Sequence, residues 1–100
     1  MQQLANTQLH EETLAVTFSK LWYQEDIQLL ADILYQHLKP VDHIEKMAGA
    51  DREVYRFKWQ DVNLVLHFDF YSQSCWLEPE TPLNIEILAD LNEILSQNVN

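Results

Sequence analysis

The side chains with the most reactive chemistry fall close together: His67, Asp69, Cys75 and Glu78 supply an imidazole, two carboxylates and the only thiol. His67 and Asp69 are two apart, so on a strand they point the same way, and Glu78 could join them around a metal ion. Such a site needs three or four converging donors, and no fourth can be named. A His67–Glu78 hydrogen bond is the better reading, and no metal is assigned. Cys75 beside His67 and Asp69 suggests a cysteine nucleophile, which requires an accessible thiolate next to a base. Strand parity turns Cys75 inward and His67 outward, which favours a buried cysteine. His10, His37 and His43 have no partners at a telling spacing. Glu78 and Glu80 flank Pro79 with no sign of a pocket to tune their acidity. A chain with one glycine cannot build a glycine-rich phosphate loop. No catalytic residue or cofactor site is named, and an enzyme is the disfavoured class.

These residues need a sheet to position them. In Arg52–Trp59, Tyr55, Phe57 and Trp59 alternate, and in Val62–Tyr71 so do Val62, Leu64, Leu66, Phe68 and Phe70. With Ser74–Glu78 they predict a three-stranded antiparallel meander, entered through a turn at Gly49. The first hairpin fits a two-residue loop, Gln60-Asp61, or a four-residue one, Gln60–Asn63. A three-residue loop would turn one strand over. Gln-Asp suits a type I′ turn poorly and Asn63 tolerates a left-handed conformation, so the longer loop stays open beside the shorter one. Ser72-Gln73 is the expected second turn, pairing Phe70 with Cys75 and Phe68 with Leu77. The apolar set, with Cys75 and Leu77, should face the helices. Arg52, His67, Asp69, Tyr71, Trp76 and Glu78 are left facing outward. The short first turn aligns Arg52–Asp69–Trp76 and Val54–His67–Glu78. The longer turn puts Val54 with Asp69 and Arg56 with His67.

Upstream, residues 1–12 read as a mobile lead-in, and Thr13–Ser19 alternates as a strand. Glu25-Asp26 starts a helix carrying Ile27, Leu30, Ala31, Leu34 and Leu38 on one side, stopped by Pro40. Val41–Ala48 is ambiguous, with a short strand fitting His43–Met47. After Pro79, Thr81-Pro82 offers an N-cap and first-turn proline for a second helix. Its inner face is Leu83, Ile87, Leu88, Leu91, Ile94 and Leu95, and its outer stripe Glu86, Asp90 and Glu93. The order β–α–(β)–β–β–β–α predicts one α+β domain over residues 1–100. Its architecture is a two-layer sandwich: a mostly antiparallel sheet of four or five strands with both helices on one face. The first strand is open to a parallel placement by a right-handed crossover.

The formal charge is −10, which repels phosphates and argues against nucleic acid and anionic membranes as partners. All six Lys and Arg lie between positions 20 and 58, so the chain from Trp59 onward has none. No apolar run approaches the roughly 18 residues of a membrane span. The first residues lack the basic start and apolar run of a signal peptide. One cysteine demands no oxidising compartment. A cytoplasmic location is expected.

Gly49-Ala50-Asp51-Arg52, Phe68-Asp69-Phe70-Tyr71 and Cys75-Trp76-Leu77-Glu78 resemble a family of short, uncharacterised gamma-proteobacterial proteins of about this length. The resemblance covers most of the chain. It implies a bacterial cytosolic origin with no assigned activity, and no functional residues carry over from it. The expected function is a small acidic binding or adaptor protein without enzymatic activity. It would contact a protein partner, or a second copy of itself, through the open sheet face around Trp76, using Arg52, His67, Asp69, Tyr71 and Glu78. The alternative is an acidic inhibitor or nucleic-acid mimic acting through Glu86, Asp90 and Glu93.

Overall fold

A computed structural model describes residues 1–49 and 52–99. Ala50 and Asp51, two of the residues that carried the resemblance, lie outside the described residues. The elements are β1 (Leu4–Leu9), β2 (Leu14–Phe18), α1 (Ile27–Leu38), β3 (Asp42–Ala48), β4 (Arg52–Trp59), β5 (Val62–Asp69), β6 (Ser74–Pro79) and α2 (Ile87–Ser96). They form an α+β fold, a six-stranded sheet of order β1-β2-β6-β5-β4-β3 with two helices packed on it. Every paired neighbour is antiparallel.

Three expectations about the strands change. Residues 4–9 are not part of a lead-in: they pair with β2, and Thr7 Oγ1 donates to Asn92 Oδ1 of α2 at 2.8 Å. Leu4 is buried in the core. The weak pattern of this segment is that of an edge strand, where only the inward positions carry a hydrophobic requirement. Next, β2 lies antiparallel to β6, not parallel to a neighbour. The ambiguous stretch becomes β3, with a bulge between Asp42 and Glu45 and His43 at φ 55°.

The core lies between the sheet and the helices. Leu14, Val16 and Phe18 of β2 share it with Leu64, Leu66 and Phe68 of β5, as do Cys75 and Leu77 of β6. In α1 the predicted positions Ile27, Leu30, Ala31, Leu34 and Leu38 are all buried. The ring of Tyr35 meets Phe57 edge-on at 5.2 Å. Trp59 Nε1 donates to the Leu38 carbonyl at 2.7 Å, satisfying an acceptor at the helix end that would otherwise be unpaired. In the second helical region, Pro82–Asn84 form a separate 3-10 turn and α2 starts at Ile87. Thr81 therefore caps that turn rather than the helix. Leu83, expected inside, is 91% exposed because it sits before the helical register begins.

The turns of the meander set its register. Gln60 and Asp61 have φ of 51° and 63°, and Trp59 pairs with Val62. The short loop forms although neither residue is glycine, and its left-handed pair matches strand twist as a type I′ turn does. The second turn is longer than expected. Strand β5 ends at Asp69, whose Oδ1 accepts the Tyr71 and Ser72 amides at 3.1 and 3.3 Å. Gln73, at φ 57°, donates from Nε2 to Phe70 O and Trp22 O and accepts the Trp22 amide through Oε1. Phe68 therefore faces Cys75, and Leu66 faces Leu77. The offset from the expected register is two residues, so every side chain keeps its face. At Gly49 an added Cβ would come within 2.8 Å of the Arg52 carbonyl oxygen, and only glycine allows that approach.

Candidate functional site

Each strand contributes its second set of alternate residues to the face turned away from the helices. No element of the described residues covers that face, because the N-terminal segment extends the sheet edge instead. The pairings arrange it as rows running across the strands. The central row is Ala15, Trp76, His67, Val54 and Met47, taken from β2, β6, β5, β4 and β3. On one side of it lie Ser74, Asp69 and Arg52, and on the other Glu78, Val65, Arg56 and Glu45. An apolar and aromatic stripe thus crosses the sheet between two charged rows.

His67 and Trp76 stack in this stripe, with centroids 4.8 Å apart and planes 7° from parallel. His67 Nε2 lies 2.6 Å from Glu78 Oε1 across the diagonal, while its Nδ1 is buried without a hydrogen-bond partner. The Arg52 guanidinium carbon sits 5.6 Å from the Trp76 ring centroid, and Nη2 is 4.0 Å from Asp69 Oδ2. A cation beside the indole face and a carboxylate on the imidazole hold both rings in place. Five of the six expected contact residues therefore meet on one surface: Arg52, His67, Asp69, Trp76 and Glu78. Tyr71 does not join them on a strand. It lies in the β5–β6 turn, 76% exposed, with its ring tilted against Phe70 at 4.6 Å. Phe70 leaves the sheet for the same reason and packs only partly against the core.

The partners of these residues decide what they can do. Asp69 is occupied by turn amides and Arg52, so it does not converge with His67 and Glu78. Among the described residues no group of three His, Cys, Asp or Glu could hold a metal ion. Cys75 points into the core on the opposite side from His67, and burial pushes its thiol well above the ordinary range. The thiolate that a nucleophile requires is thereby suppressed.

Reading the sequence for contact residues named Arg52 but left Arg56 and Lys58 out of the set. Arg52, Arg56 and Lys58 share strand parity and line the outer side of β4, half of the chain's six basic residues in one column. Their even spacing along one strand was the available signal. On the other flank a shallow groove runs beside Trp76 over Thr13, Ala15, Thr17 and Ser74, side chains short enough to leave the ring edge open. At the end of β6, Glu11, Glu12 and Glu78 overhang a hollow floored by Pro79, Pro82 and Ile85.

The family described as "Protein of unknown function (DUF3630)" matches residues 4–96. The chain belongs to the DUF3630 family. No curated protein and no solved structure matches it. The DUF3630 match starts at the first residue of β1 and ends at the last of α2, so the family unit includes the strand that the sequence pattern left out. It also contains the whole open face. Among the described residues no helix is long and apolar enough to cross a membrane.

Proposed function

We propose that this DUF3630 protein is a small binding or adaptor module, without enzymatic activity, that docks a protein partner on the open sheet face centred on Trp76. One observation carries the reading: the stacked Trp76–His67 pair stands at the centre of an apolar row that nothing in the described chain covers. Half-buried aromatic and arginine side chains among polar neighbours are the types that anchor interfaces. Arg52, Asp69 and Glu78 hold the two rings rigid, so little side-chain freedom is lost on docking. The cytoplasm suits a protein whose one thiol is buried and unpaired.

The test is affinity capture from cells that make the protein, comparing wild type with Trp76→Ala and Arg56→Glu. The control is the triple variant Glu86→Gln, Asp90→Asn, Glu93→Gln, which neutralises the acidic stripe of α2. Specific partners should be lost with both face variants and kept by the control. The opposite pattern would overturn this reading in favour of an acidic inhibitor or mimic acting through the helix.

A further inference from the structure

We infer that the partner of the open face is a second copy of this chain, docked face to face about a two-fold axis running along β5. The inference rests on the reading just proposed and names its partner. The chain carries −10, yet on this face Arg52, Arg56 and Lys58 oppose Asp42, Glu45, Asp69 and Glu78. The paired strand residues supply only one of the ten net negative charges there, with Glu80, Glu11 and Glu12 adding charge at the end beyond Glu78, so two copies repel one another less through these faces than through the rest of the surface.

The strand order supplies the geometry. With β5 as the axis, β6 changes places with β4, and β2 with β3. The rows are preserved. In the central row, Val54 comes to lie over Trp76 of the second copy, and Met47 over Ala15. In one flanking row Arg56 meets Glu78 of the second copy, and symmetry repeats that pair. In the other, Arg52 meets Ser74. The groove of short side chains beside Trp76 is where the second copy's Met47, itself 39% exposed, is received. On the axis each Asp69 faces its own copy, and its Arg52, 4.0 Å away in the same chain, offsets that repulsion. The other in-plane axis, running across the strands, would set Arg52 over Arg56 and leave Glu78 unpaired. Charge complementarity selects the axis along β5. Sheets stacked in this way pack about 10 Å apart, the spacing of a β-sandwich.

Charge reversal gives the test, because Arg56 and Glu78 lie on strands separated by β5 and form no pair within one chain. Sedimentation equilibrium is run on wild type, Arg56→Glu, Glu78→Arg, an equimolar mixture of the two, and the double variant, with circular dichroism verifying folding. Wild type should dimerise. Each single variant should weaken its own dimer about tenfold or more, since the substituted contact occurs twice. The mixture should recover a heterodimer and the double variant a homodimer, because both place opposite charges across both contacts. A wild type that stays monomeric up to on the order of 100 μM overturns the inference. So does a dimer indifferent to both reversals, which would place the contact elsewhere, as at the β1 or β3 edge. Loss of dimerisation with Trp76-dependent capture intact would sink the second copy and spare the face. Loss of both would sink the two readings together.

Discussion

Cys75 and Trp76 are consecutive residues of β6, and they stand on opposite faces of the sheet in opposite surroundings. Cys75 is 3% exposed among Leu, Val and Phe side chains under the helices, its thiol held protonated by burial. Trp76 stands on the uncovered side, stacked on an imidazole and flanked by Arg52. Among the described residues the buried side chains of the inner face are apolar with one exception, Glu53, while the outer face alternates charge with aromatic surface. The first arrangement gains free energy by excluding water, the second by local pairing that leaves polar groups wet. Stability should therefore reside in the inner face, and recognition in the outer.

The sharpest way to break that division is at its apolar extreme. Phe68 is fully buried, with edge-on contacts to Trp22 and Tyr55 at 5.8 Å each. Replacing it with alanine should cost about 3–5 kcal/mol in urea unfolding, from lost transfer energy and the cavity left behind. A loss near 1 kcal/mol would mean that the inner face is loosely packed.

The exception predicts a change of opposite sign. Glu53 faces inward with its side chain 8% exposed, and Oε1 lies 3.4 Å from Lys46 Nζ, whose side chain is 44% exposed. Oε2 is buried without a partner. An unsatisfied buried acceptor costs about 1–3 kcal/mol, more than a half-exposed ion pair returns. Glu53→Met should raise the unfolding midpoint by about 1–2 kcal/mol of stability. A lowered midpoint would show that the carboxylate is satisfied by something bound at the mouth near Gln24 and Gln28.

The outcome at the turns shows which parts of the fold could be read in advance. Both helices and the four inner strands followed from apolar spacing, because a two- or 3.6-residue period survives small errors of register. Strand β1 did not, since on this edge strand only Leu4 is buried, and Thr7 and Leu9, on the same side, are left partly or largely exposed. Residues expected on the outer face stayed there through the two-residue offset between β5 and β6, except Tyr71, which the longer turn withdrew. That turn depends on Gln73 reaching Trp22, fifty-one positions away, and no local pattern encodes such a contact. The first hairpin instead adopts a turn that its own residues disfavour. Gln60→Asn with Asp61→Gly should stabilise both faces alike, by about 1 kcal/mol, because both positions hold positive φ. A destabilised variant would mean that the Gln60 or Asp61 side chain makes a contact worth more than the strain.

The smallest effect on stability is expected at the residue that matters most for contact. Trp76→Ala removes the stack on His67 and the approach of Arg52, both on a solvated face, and leaves no enclosed cavity. The cost should stay at or below about 1 kcal/mol, since stacking and cation–π contacts on a partly exposed face are each worth only a fraction of their buried counterparts. Measured beside Phe68→Ala, it places a large aromatic on each face in the same assay, and their ratio tests the division directly. If Trp76→Ala costs as much as Phe68→Ala, the indole is part of the folding core and its prominence on the outer face needs no partner to explain it. If the cost is small while self-association falls, the ring is kept for what it meets outside the chain. A side chain that folding can spare at that position is the physical signature of a contact surface.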